Sequence, residues 1–198
     1  MAVQELVRIA PEEFAERRRR AAAAAREAGY DGLLVVGRTS GTLDNIGNIF
    51  WLTHHYFVAP VVPPTGPWRS YGLDILVLDA DARSRLVSVG RTEEVHVDEH
   101  VYGTLDLETA TVEAIRAAGL ERGRLGLVGS EVMSATLANR LRADLPDLVL
   151  EPADLMLAKL RLTLSPAECE MVRQSTRIGS EILTAALRAA RVGGSDGE

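Results

Sequence analysis

Leu33-Leu34-Val35-Val36, closed by Gly37, decides how this chain folds. A short, unbroken apolar run of this kind suits a strand covered on both faces. It follows directly on residues 11–28, which read as a helix. Pro11 fits the first helical position, Glu12 and Glu13 suit the positive end, and Gly29 offers a stop. Phe14, Ala21, Ala25 and Ala28 recur at helical spacing, with Arg18 expected to snorkel between them. Further along, Asp-Ile-Leu-Val-Leu-Asp (74–79) and Arg-Leu-Val-Ser-Val (85–89) flank a polar link, which is a hairpin pattern. Helices are expected at 105–118 and 133–145, and strands at 125–128 and 148–150. Strands alternating with helices predict an α/β domain, and the hairpin makes its sheet mixed.

The chain has 198 residues, enough for one ordinary domain with an appended element. Hydrophobic residues make up 46% and charged residues 25%, the balance of a globular protein, so a core can form without disulfides or metal staples. A net charge of −6 gives the chain as a whole no attraction to nucleic acid or anionic lipid. The basic run Arg17-Arg18-Arg19-Arg20 follows Glu12, Glu13 and Glu16 and lacks interleaved aromatics, so it reads as the wet face of the first helix. No stretch approaches the ~20 apolar residues that span a bilayer, and no signal-peptide core opens the chain. Cys169 has no partner for an internal disulfide. A cytoplasmic protein is expected.

A different element closes the sequence. Ser165-Pro166-Ala167-Glu168 is a capping box with proline at the first helical position. Beyond it Met171, Ile178, Ile182, Ala186 and Ala189 line one face, flanked by Val172, Leu183 and Leu187, on a helix that could reach Val192. A stripe this long calls for a partner surface.

Several strings, in this order, resemble the N-terminal domain of creatinase and Xaa-Pro aminopeptidase (prolidase-like) proteins, the M24 metallopeptidase family. Residues 14–34 resemble its opening helix and first strand. Asn45-Ile-Gly-Asn-Ile-Phe-Trp-Leu-Thr53 resembles a segment in which an asparagine precedes an aromatic-Leu-Thr-Gly turn, with His54 where glycine is usual. Leu160-Arg161 through Ser165-Pro166-Ala167-Glu168 to Met171-Val172-Arg173 resembles the junction with the first long helix of the pita-bread catalytic domain. The resemblance implies a ribonuclease-H-like domain at 1–160. Residues 161–198 are then the linker and first helix of a catalytic domain that would continue after residue 198. It also implies two divalent metal ions, such as Mn, Co or Zn, held in that absent part by two Asp, one His and two Glu. Hydrolysis by this chain alone is therefore not expected. The alternative is a standalone small-molecule or partner-binding module.

Within the chain, the richest cluster is His54-His55-Tyr56 together with Trp68, Arg69 and Tyr71 on a proline-rich loop. Aromatic, imidazole and guanidinium groups suit a recognition surface. The resemblance implies that they contact substrate or a second subunit, since in that family this domain reaches across a dimer; the alternative is that they pack the loop on its own core. His96 and His100 stand four apart, and on a helix they would share a face and could bind zinc. The plainer reading is an acidic connector after the hairpin. Gly37-Arg-Thr-Ser-Gly41 lacks the spacing of a nucleotide cradle. A homodimer is expected, formed through the terminal helix or the N-terminal domain, with Ile178, Ile182, Leu183 and Leu187 either solvent-facing or buried by self-association.

Overall fold

The computed structural model describes residues 7–39, 45–57 and 72–191. The chain divides into two units, Pro11–Leu162 and Met1–Ala10 with Thr163–Glu198. In the first, the described strands are β1 (Gly32–Arg38), β2 (Leu73–Asp79), β3 (Ser84–Ser88), β4 (Glu99–Tyr102), β5 (Arg124–Val128) and β6 (Val149–Pro152), and they form one sheet in the order β4-β3-β2-β1-β5-β6. The α/β expectation is met and the sheet is mixed. β1 runs antiparallel to β2, with Leu34 opposite Val77, and parallel to β5, with Leu34 opposite Leu127. The hairpin forms as read, Leu76 facing Leu86.

Alternation along the strands assigns the two faces. Leu34, Val36, Ile75, Val77 and Val87 pack with α3 (Leu107–Ala117) and α4 (Ala135–Asp144). Leu33, Val35, Leu76, Leu78 and Leu86 pack with α1 (Pro11–Glu27), α2 (Gly47–Thr53) and α5 (Asp154–Arg161). That two-sided cover is why Leu33 to Val36 is apolar without alternation. The alanines of α1 lie on the second face, with Ala21, Ala22 and Ala25 buried, so the helix approaches the sheet closely. After β5 the chain turns at Gly129 (φ +83°), where an added Cβ would lie 2.0 Å from the Val36 oxygen, so only glycine fits.

Two expectations need correction. Arg17 and Arg18 are buried, 3% and 7% exposed, and only Arg19 and Arg20 face water. The connector reading of 96–100 gives way at Glu99, where β4 begins and pairs in parallel with β3.

In the second unit, α6 spans Pro166–Ala189. Its capping box is complete: Glu168 N donates to Ser165 Oγ (3.1 Å) and Ser165 N donates to Glu168 Oε2 (2.8 Å). Val7 N donates to Gln174 Oε1 at 3.0 Å. No residue of α6 is buried, and Val172, Ile178, Ile182, Leu183 and Leu187 are all exposed.

Candidate functional site

Helix α2 is too short to hold itself together, and its start at Ile46 has no side-chain cap. Its far end is held by the two buried arginines. Arg17 Nη1 donates to the Trp51 oxygen and Arg18 Nη1 to the Leu52 oxygen, both at 3.0 Å. Two cations thus meet the negative end of the helix and satisfy carbonyls that the last turn leaves open. Arg18 also donates to the His96 main-chain oxygen, tying the segment before β4 to the same point. Arg17 pairs with Glu13 and lies over the Phe14 and Trp51 rings. Burial lowers the pKa of Arg18, with Asp98 opposing that shift.

His54 caps α2 in the left-handed conformation (φ 61°), and its N–H donates to the Phe50 oxygen at 2.8 Å. A residue with a Cβ pays roughly 1–2 kcal/mol there, which explains why glycine suits this position. In return, the His54 ring is placed 5.3 Å from Phe14, 5.2 Å from Phe50 and 5.9 Å from His96, stacked on the last. His54 Nδ1 lies 3.7 Å from Glu94 Oε2. Phe50 meets Tyr56 edge-on at 6.2 Å, and both rings are exposed. Burial, and then the neighbouring His54, hold the His96 pKa below its ordinary value.

Beneath this surface lies a second imidazole pair. His55 is fully buried, so it supports the surface instead of forming it. Its Nε2 is 3.4 Å from Asp74 Oδ1, close enough for an ion pair but not aligned as a hydrogen bond. His100 meets the His55 ring edge-on at 5.4 Å and holds Ser88 Oγ at 2.8 Å through Nε2. The Ser88 hydroxyl donates to the Gly90 oxygen, which assigns the proton of that contact to His100 Nε2. Burial first, then His55 and Arg91, push the His100 pKa down to about 4.

All four histidines of the chain therefore gather where α2 ends against the β3–β4 side of the sheet, in two pairs. The helix that would bring His96 and His100 to one face does not form. Its place is taken by an extended approach to β4, and the two rings join different pairs. Among the described residues no group of three or more His, Cys, Asp or Glu is placed to hold a metal ion. The described residues do not offer the donor set of a two-metal site. Trp68, Arg69 and Tyr71 lie outside the described residues. Sequence reading missed Phe50, Glu94 and the capping arginines. The signal for Phe50 was present, since it stands four residues before His54, one helical turn.

The model of the creatinase/prolidase N-terminal domain matches residues 17–163. The chain belongs to that family. Solved structures agree on the fold. A prolidase from Thermococcus sibiricus is 14% identical with a TM-score of 0.63, over 89% of this chain and 44% of that one. A dipeptidase from Pyrococcus horikoshii OT3 is 17% identical with a TM-score of 0.60, over 88% and 44%. An Xaa-Pro aminopeptidase from Streptococcus thermophilus is 19% identical with a TM-score of 0.52, over 75% of this chain and 98% of that one. The chain thus spans under half the length of the first two. No curated protein matches it. No helix among the described residues is long and apolar enough to cross a membrane.

Proposed function

We propose that this chain serves as the non-catalytic N-terminal domain of a metal-dependent Xaa-Pro peptidase or creatinase-type hydrolase. In that role it supports subunit association and shapes substrate access to a catalytic domain outside this sequence. The observation that carries the reading is the strained His54, held in an unfavourable backbone conformation to build an exposed surface with Phe50 and Tyr56. A non-glycine residue held in the left-handed region beside exposed aromatics supports a functional position. Family membership and the partial coverage of the prolidase and dipeptidase support the same reading. The metal ions would belong to the catalytic domain. We place the protein in the cytoplasm, where its single cysteine stays reduced.

The exposed stripe of α6 supports a homodimer. Each fully buried Leu or Ile contributes roughly 1.5–3 kcal/mol, so Ile178, Ile182, Leu183 and Leu187 together favour association over solvent. Sedimentation equilibrium should report a dimer that Leu183→Asp with Ile182→Asp dissociates.

Function is tested by reading the coding sequence past codon 198 and assaying its product on Xaa-Pro dipeptides and creatine with Mn, Co or Zn. Hydrolysis by the longer protein and none by residues 1–198 is expected. In that protein His54→Ala should raise KM at least several-fold. A stop codon at 199, or an unchanged KM with an unchanged oligomer, would overturn the proposal.

A further inference from the structure

The arginine run of α1 serves two purposes, and capping α2 uses only half of it. Arg17 and Arg18 point into the domain, while Arg19 and Arg20 point out beside Arg26. Together with the β2–β3 turn these outward residues enclose an open groove of about 500 Å³. The groove exists because its floor is alanine: Ala22 and Ala23 on the helix and Ala80 and Ala82 on the turn leave the space that longer side chains would fill. Its walls are arginine stems. Arg19 and Arg26 are seven residues apart, two helical turns, so their Cα positions share one face about 10.5 Å apart along the axis.

These arginines are unequally engaged. Arg19 already pairs with Glu16, at 2.7 Å. Arg20 makes a long 3.4 Å bond to the Leu160 oxygen. Arg26 has no hydrogen bond or ion pair among the described residues. On a chain of net charge −6, three arginines around one groove are a local reversal of sign. Glu16 and Asp81 on the rim break that field into separate positive points. A continuous phosphate backbone would meet both acids, and no aromatic ring lines the groove to stack a base. A chain with spaced carboxylates fits better. In a polyproline II peptide, with three residues per turn, side chains three residues apart lie on one face about 9 Å from one another, near the spacing of the arginines.

We propose that the groove between α1 and the β2–β3 turn docks an acidic peptide segment of a partner protein in polyproline II conformation, with carboxylates at i and i+3 reaching Arg26 and Arg19. Arg20 adds to the attraction from the side. The site is separate from the α2 surface and does not depend on the function proposed above.

The experiment is fluorescence anisotropy with residues 1–198 and three labelled probes: a decapeptide with glutamate at every third position among Ser and Gly, its lysine counterpart, and a decathymidylate. Micromolar to submillimolar binding of the glutamate peptide alone is expected, weakening steeply between 50 and 300 mM salt. Each exposed ion pair is worth a few-fold, so Arg26→Ala with Arg19→Ala should lower affinity about tenfold, and Arg122→Ala, far along the chain, should leave it unchanged. A circular dichroism spectrum matching the unsubstituted protein guards against misfolding. Binding that the double substitution leaves intact, no binding below millimolar, or preference for the oligonucleotide would each overturn the proposal.

Discussion

Replacing Arg18 by alanine removes a cation that is 7% exposed and donates to two main-chain oxygens, those of Leu52 and His96. Hydrogen bonds from a charged donor contribute roughly 1.5–3 kcal/mol each, and the loss leaves the Leu52 oxygen facing a cavity. Part of the space admits water, so the two terms do not add in full. The expected cost is about 3–5 kcal/mol, a large share of the 5–15 kcal/mol typical of a domain. Arg18→Lys should cost less, about 1–3 kcal/mol, because it keeps the charge but its shorter side chain does not place a nitrogen where Nη1 donates to both oxygens. Arg19→Ala, one residue on, removes only an exposed pair with Glu16 and should cost under about 0.5 kcal/mol. Urea unfolding followed by far-ultraviolet circular dichroism gives all three values on one scale. Arg18→Ala within 1 kcal/mol of the unsubstituted protein, or Arg19→Ala as costly as Arg18→Ala, would refute the assignment of Arg18 as the α2 cap.

Three other outcomes follow from the same geometry. Gly129→Ala forces a Cβ to within 2.0 Å of the Val36 oxygen at positive φ, and should destabilise by more than about 2 kcal/mol in the same urea assay. Ala82→Gly relieves a left-handed alanine (φ 63°) in the β2–β3 turn and should raise stability by about 0.5–1 kcal/mol, read as a higher melting temperature. His100 is held down to about 4 in the folded chain, against ~6.5 when unfolded. Between those values the unfolded chain binds more protons, so stability falls as pH drops from about 6.5 to about 4 and is indifferent to this group above that window. Allowing for its partial solvent access, the loss is about 1–2 kcal/mol. His96, also lowered, adds in the same direction, and His100→Gln should flatten the slope of urea midpoint against pH.

The fold was legible where local chemistry and tertiary context agree. Leu33 to Val36 is apolar because helices cover both sides of β1, and the α6 start is written in four consecutive residues whose hydrogen bonds all form locally. Illegible elements are those held from a distance. Helix α2 has no capping side chain and depends on arginines 34 residues away in sequence. Strand β4 reads as a polar connector because Glu99 and His100 are ordinary surface residues until β3 supplies a ladder. Helix α5 begins at Ala153, which caps nothing. The same distance effect hid the arginines. A run of four beside glutamates looks solvated, and only the position of the α2 carbonyls shows that two of them face inward. At the candidate site, the histidines were visible by type, but their division into two pairs, with His55 alone fully buried, required the register of β4.

That division bears on what the domain can do. An imidazole that works as an acid or base needs both access and a pKa near the working pH. His55 lacks the first, and His100, at about 4, lacks the second. Both are braced against neighbours, Asp74 and Thr92 for one and Ser88 for the other, as residues that fix a position rather than pass a proton. What they fix is the exit of α2, and with it the half-buried His54 and the exposed rings of Phe50 and Tyr56. Histidine at this left-handed cap adds backbone strain and gives in return a ring packed between Phe14, Phe50 and His96. That ring sits beside Phe50, which in turn meets Tyr56.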